Sequence, residues 1–478
     1  MRLTKSSQSG SVLIWTVIVI TVLSAAAAQV LHVVSAKYHN ALHTATWQEA
    51  LLASESGVDL AIRELRRSLR PAPNQAWDGW ANVNSERYGI SVVPNAGLAG
   101  TEMKIEVNVD APWQLKDPAN LWQYYRVRAI GTMPITGPAR AADNKQDTRL
   151  RKMSLRADRF TGGVLTSQAV DKPRVSRRVE AIVRPVSAFD QAVVSLEALN
   201  LNDANIIIDS YDSRDTTKST NGLYDVAKRQ RNGHIATNSN LINAGNAHVY
   251  GDVSTNAGTV SNAANVTGVQ RTDFYQEPIP VGAPTWPSVN ASPSLVLGLT
   301  TLNASATEGS AASRYVLSSI TLAGTEVLNL AGAADGSSTH IEIYVTGDIS
   351  ATGLSQIVVH PGVKATIYFA GGVKVSGNGL VNKNNQPGNL MMYGITPPPN
   401  TLPKTVELGG NGQLTAAVYA PDFYIHMNNT GTRGIAYGSF VGKTFTMTGT
   451  TDLHYDEALG SMGRISNYKI VSWFEDTR

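Results

Sequence analysis

The chain is predicted to be an α+β protein: a long N-terminal helix with a small antiparallel sheet, followed by a large all-β domain. Three observations carry this. A stretch without Asp, Glu, Lys or Arg runs from Lys5 to Lys37, and no proline interrupts the chain from Gln29 to Leu69. Short alternating segments then lie between Tyr88 and Val183, the pattern of half-buried strands. From about Ser187 helical periodicity is lost, and β-type runs alternate with Gly, Asn, Asp and Thr. The division that follows is 1–10, 11–70, 71–186 and 187–478.

The first element is a helix from about Ser11 to about Leu69. Its centre (Val12, Leu13, Ile14, Val17, Ile18, Val19, Ile20, Val22, Leu23) is apolar over more than the length needed to cross a bilayer. Arg2 and Lys5 precede it, which keeps the N-terminus cytoplasmic and exports the rest. Beyond Gln29, Leu31, Val34, Tyr38, Leu42, Ala45, Leu52, Leu60 and Leu65 recur at helical steps. Asp59 with Arg63 and Glu64 with Arg67 support an exposed face. Arg66, Arg67 and Arg70 complement the negative end of the helix dipole, and Pro71 and Pro73 stop the helix. At 1.5 Å per residue the rod is about 90 Å long, with Gly57 the expected bend. The N-terminal stretch reads as a short leader ending at Gly10, as a secretory signal cut after Ala28, or as a plain anchor; the continuing helix favours the leader.

Two segments carry a family resemblance. Ser9-Gly10-Ser11-Val12-Leu13-Ile14 resembles the class III leader of type IV pilin-like proteins. Trp47-Gln48-Glu49-Ala50-Leu51-Leu52-Ala53-Ser54-Glu55-Ser56-Gly57-Val58-Asp59-Leu60-Ala61 is similar to the A-x-x-A-E-A-G segment of the PilX-type N-terminal domain. The resemblance implies cleavage by a prepilin peptidase between Gly10 and Ser11, N-methylation of Ser11, and packing with other pilin subunits through the helix. It also implies residence in the inner membrane before assembly, then at the cell surface in a pilus. The fifth mature residue, usually Glu in major pilins, is here Trp15; this is similar to minor pilins at filament tips. Leu453–Leu459 resembles the close of solenoid-like ectodomains on PilX-type proteins.

The next elements are a loop over 71–87 anchored by Trp77 and Trp80, strands at Tyr88–Val93, Met103–Val109, Tyr124–Ile130 and Arg177–Val183, and a loop at Asp143–Asp147. The β-rich region has segments at Ala204–Asp209, Ala247–Val253, Ile341–Ile349, Gln356–Val359, Ala365–Phe369, Val373–Val375, Leu390–Tyr393, Leu414–Tyr419 and Phe445–Met447. Their recurrence suits a right-handed parallel β-solenoid, with a β-sandwich as the alternative. Pro278–Pro293 reads as a surface loop or hinge, and Pro397-Pro398-Pro399 as an extended excursion. The chain ends in a turn and a strand at Tyr468–Glu475.

Composition narrows the chemistry. The 478 residues include no cysteine, so there is no disulfide framework, thiol nucleophile or Cys-based metal site. A net charge of +3 does not imply nucleic-acid binding. A basic run from Arg126 to Arg184, including Arg174, Arg177 and Arg178, reads as a solvated face rather than a phosphate-binding one. The densest acidic cluster is Asp209, Asp212 and Asp215. Its spacing admits a Ca²⁺ loop, but the Gly and terminal Glu of an EF-hand are missing, and a self-bonded polar turn is favoured. His39 and His43 share a helix face without HExxH context. No catalytic residues stand out, and no enzyme activity or cofactor is expected. The chain reads as a minor type IV pilin-like subunit whose β-rich ectodomain serves filament assembly or priming, or adhesion to glycans or other cells. The alternative is a secreted carbohydrate-active β-solenoid enzyme with a cleaved signal.

Overall fold

The computed structural model describes residues 9–70, 73–83, 86–93, 103–110, 124–134, 174–201, 204–286, 299–303, 312–332, 339–376, 379–409 and 413–476. Pro71, the Asp143–Asp147 loop and the basic residues from Arg140 to Lys172 lie outside them.

One helix, Ser9–Ser68, opens the fold. Its two halves have different surroundings. The most apolar part is wholly unburied, whereas Ala50, Ala53, Val58, Ala61 and Leu65 are buried against a sheet. That sheet is antiparallel, with strands in the order Ala81–Val83, Glu86–Val93, Met103–Val109, Tyr125–Pro134, Arg174–Ser187 and Ile465–Asp476. Ile105, Val107, Val127, Ala129, Val179 and Ala181 alternate onto the helix-facing side, as period-two strands require.

Gly57 is the point of closest approach rather than a hinge. A Cβ there would lie 2.8 Å from Ala129 Cβ and 3.0 Å from Ile105 and Val107. Gly131 plays the reciprocal part on the sheet, where a Cβ would lie 2.6 Å from the Ser54 amide. The two glycines let the helix seat closely, which offsets their weak intrinsic propensity. Glu64, buried, accepts from Arg63, Arg67 and the Trp77 amide, and so clamps the loop after the helix. Trp77 and Trp80 meet edge to face at 5.2 Å, the anchors that the sequence placed there.

The β-rich region is a parallel solenoid, not a sandwich. Ser313 pairs with Ile341, Ile341 with Ala365, Ala365 with Leu390, and Met391 with Ala417, all in parallel. Two further faces repeat this, through Ile320–Ile349–Val373–Val406 and Leu299–Val327–Gln356. Each coil takes roughly 25 residues, within the range of solenoid repeats. Strands such as Thr339–Val345 alternate buried and half-buried, with Ile341, Ile343 and Val345 in the core.

The chain does not wind from one end to the other. It starts inside the stack with Val193–Ser195, Leu199–Asn200 and Ala204–Tyr211, and adds coils outward to Gln270–Arg271. It then crosses to the far end, resumes at Leu299, and winds back until Phe440–Asp456 pairs with the coil where it began. Phe440 lies beside Val193, Phe445 beside Leu199 and Leu453 beside Ile208. This contact is the seam between two blocks.

The described part of the proline-rich segment, as far as Trp286, is a strap and not a free loop; Pro287 and Pro293 lie outside the described residues. Gln276 exchanges hydrogen bonds with Asn238, at 2.8 Å each way. Ile279 donates to and accepts from the Tyr419 hydroxyl at 2.9 and 3.0 Å, and Val281 donates to Thr396 Oγ1 at 3.0 Å. Trp286 reaches Tyr368 at 6.3 Å, with Arg314 over its ring. Each contact falls on a coil further along the stack. Ten extended peptide steps at about 3.3 Å cover about 33 Å, the span of about six or seven coils at 4.8 Å. The strap lies along an outward ladder of tyrosines on consecutive coils, Tyr419, Tyr393 and Tyr368, which Tyr344 continues, and burial pushes the Tyr419 hydroxyl up to about 12.

The final strand departs from the division at residue 187. Ile465–Asp476 leaves the solenoid and pairs antiparallel with Arg174–Ser187, so the last strand belongs to the first sheet. Both connections to the solenoid, at Ser187 and Ile465, are therefore neighbours at the seam. The triple-proline excursion closes in a turn, with the Thr401 amide donating to Pro398 O.

Candidate functional site

The seam carries a polar constellation drawn from both ends of the β-rich region. Leu453–Asp456 lies in register with Ile208–Tyr211, which sets His454 beside Asp209. His454 Nδ1 is 2.5 Å from Asp209 Oδ1, and the Asp209 side chain is fully buried. Because a carboxylate accepts, this nitrogen carries the proton. The Tyr224 hydroxyl donates to the other oxygen, Oδ2, at 2.8 Å, while Arg229 stands 3.9 Å from it. A buried carboxylate is thus met by two donors and a nearby cation, as burial of charge demands.

Tyr224 arrives on a lobe spanning Asp212–Arg229. Ser210 and Gln230 close the lobe's neck by exchanging backbone hydrogen bonds. At the tip Asn221 and Gly222 both have positive φ, 54° and 76°, and Thr220 and Leu223 bond across them. This is the two-residue turn that an Asn-Gly pair favours. Lys228 Nζ donates to Thr216 O and Ser219 O, and Asp225 accepts from the Ala227 amide and Thr220 Oγ1. The lobe is tied to itself, and it lays the Tyr224 ring flat on His454 with centroids 3.7 Å apart.

Together these groups border a groove of about 720 Å³. Tyr224, Tyr437 and His454 supply aromatic surface, with Tyr211 packed edge-on behind both tyrosines. Leu223 and Val226 form an exposed apolar lip, 40% and 69% accessible. Asp225, Asp452 and Arg229 supply polar groups. Burial, then the Asp209 charge, pushes the Tyr224 and Tyr437 hydroxyls up, so both remain protonated donors near neutral pH.

The acidic cluster singled out from sequence is divided. Asp209 sits at the seam. Asp212 binds Arg214 through both oxygens at 2.9 Å, which outweighs burial and holds its carboxyl below the usual range. Asp215 caps a turn through the Thr217 amide and hydroxyl at 2.8 and 2.7 Å. The three do not converge on a Ca²⁺ loop; their spacing builds the lobe and its neck. Among the described residues no group of three or more His, Asp or Glu could hold a metal ion. Asp456 and Glu457 part at the end of a strand: Asp456 takes the Ser213 and Ala458 amides, while Glu457 takes Ser210 and Asn232.

Of the basic run, Arg126 and Arg128 pair with Asp110, and Arg178 with Asp476. Arg177 is buried, ion-paired with Glu475, and lies over Trp47 at 3.5 Å. Gly10 and Ser11 lie in the first turn of the helix. Nothing local in the sequence marked Tyr224, Tyr437 and His454 as neighbours, because only the coil register brings them together.

A family model described as a domain of unknown function (DUF7305) matches residues 300–462. That span covers the second winding block and the His454 side of the groove, but not the lobe. No curated protein and no solved structure matches the chain.

Proposed function

We propose that this chain is a minor type IV pilin-like subunit, anchored in the inner membrane by its N-terminal helix and then carried into or onto the tip of a filament. The observation that supports this is the contrast between the two halves of the helix. Large apolar residues from Leu13 to Val34 are 46–71% exposed, whereas the half after Thr46 is packed on the antiparallel sheet. Exposed side chains of that size need lipid or other helices around them. The segment that resembles the PilX-type domain, Trp47–Ala61, lies in the packed half. In this reading Gly10 and Ser11 mark the processed bond, and the prepilin peptidase and other pilin subunits are partners.

The solenoid is the displayed cargo, available for filament priming or for contact with another surface. The rival, a secreted carbohydrate-active enzyme, needs a carboxylic acid held protonated. Asp225, on the groove, is held below the ordinary carboxylate value by Thr220 and the Ala227 amide, which suits a base or nucleophile and not the acid.

N-terminal sequencing of the protein recovered from sheared surface filaments tests the proposal. A mature start at Ser11 is expected. A start at Gln29, or recovery only as a soluble secreted protein, overturns it.

A further inference from the structure

We infer that the seam groove is a binding site for neutral glycans. A pyranose has an apolar face of C–H groups and a rim of hydroxyls, and it needs ring faces and hydrogen-bonding groups in one cleft. The groove places the Tyr437 and Tyr224 rings, 6.1 Å apart and tilted, beside Asp225, Asp452 and Arg229. The half-buried Asp225 carboxylate accepts from sugar hydroxyls, and Arg229 donates to them, while Asp452, buried and bonded to the Ile207 amide, adds negative charge behind the groove. At about 720 Å³ the groove falls within the 300–1,000 Å³ of small-molecule sites.

Charge selects the class of sugar. Asp209, Asp225 and Asp452 outnumber Arg229 and the nearby Lys228, so a uronic or sialic acid meets net repulsion while a neutral sugar does not. A quaternary ammonium ion would satisfy the charge, but an aromatic cage requires free ring faces around one point. Here His454 takes one face of Tyr224 at 3.7 Å, which leaves the other face and the Tyr437 ring: surface enough for one flat sugar, too few walls for a cage.

The site is also preorganised. The Asp209 carboxylate is fixed by His454 and Tyr224, the lobe is bonded to itself, and Tyr211 backs both tyrosines. Little ordering remains for a ligand to impose. The inference does not depend on how the N-terminus is processed, so it survives or fails separately from the filament proposal.

The test is isothermal titration of the full chain in a detergent without a sugar headgroup. The probes are cellohexaose, chitohexaose and maltohexaose, with a galacturonate hexamer and tetramethylammonium as charged counterparts. At least one neutral hexasaccharide should saturate the protein. Tyr437→Ala should weaken it by about tenfold or more, and Tyr424→Ala, on an exposed tyrosine away from the groove, should not. Leu223→Asp changes only the exposed lip and should weaken binding without lowering the unfolding temperature, which separates a lost site from a lost fold. Saturation by none of the three neutral probes overturns the inference. So does binding only by a charged probe, or neutral binding indifferent to both Tyr437→Ala and Leu223→Asp.

Discussion

His454 Nδ1 lies 2.5 Å from Asp209 Oδ1 across two strands whose residues are 245 positions apart in the chain. The pair joins the last coil of the solenoid to the coil where the chain entered it, and both side chains are buried.

Removing one member of a buried pair leaves the other's charge or donor uncompensated. Asp209→Ala is expected to destabilise the solenoid by about 3–5 kcal/mol. Urea unfolding followed by tyrosine fluorescence measures this. A double-mutant cycle with His454→Gln should give a coupling energy above about 0.5 kcal/mol, the lower bound for residues in one network.

Gly57→Ala would stabilise an isolated helix by about 1 kcal/mol. In this fold the added methyl meets Ala129, Ile105 and Val107 at 3.0 Å or less. A net loss of about 1–3 kcal/mol is expected from overpacking. Thermal unfolding of the variant decides the sign, and Ala129→Gly in the same chain should recover part of the loss.

Tyr419→Phe removes a hydroxyl that satisfies both the amide and the carbonyl of buried Ile279. The cost is expected to be about 1–3 kcal/mol for the groups left unpaired. Limited proteolysis should show faster cleavage within 276–286, where the strap lifts from the tyrosine ladder.

Two carboxyls give opposite pH dependence. Burial raises Glu64, but the Trp77 amide and the two arginines outweigh it, so its folded value lies below the ordinary 4.5. The stability it contributes is complete above that value and is lost as pH falls below it. Burial holds Asp456 above its ordinary 3.8 despite the Ser213 and Ala458 amides. Its contribution is complete below 3.8 and is lost as pH rises through the folded value. Unfolding temperatures from pH 3 to 7 should lose the acid-side slope in Glu64→Gln and the opposite slope in Asp456→Asn.

Local pattern was legible to the extent that local physics determined it. The helix was readable because apolar length, spacing and terminal arginines agree over Ser11–Leu69, and the structure places it at Ser9–Ser68. Strands such as Met103–Val109 showed their alternation. The solenoid was legible from recurring β segments bounded by Gly and Asn, and parallel pairing bears it out. What failed was everything set by register between distant coils. Ile465–Asp476 reads as a strand, but nothing in it says that its partner is Arg174–Ser187. Prolines at 278–287 read as a loop because proline removes backbone donors. The strap needs few of them, since it is held by side chains and single amides. Asp209 stood out as acidic, and its role was hidden because His454 arrives from the far end of the chain.

The chain's route through the stack decides how the molecule bears tension. Both links between helix-bearing sheet and solenoid leave from the middle of the stack, and neither outermost coil carries a covalent tether to the sheet. A pull transmitted along the rod therefore meets the paired strands Arg174–Ser187 and Ile465–Asp476 together, loading many hydrogen bonds at once. Load that enters from the sheet therefore does not begin at an outermost coil.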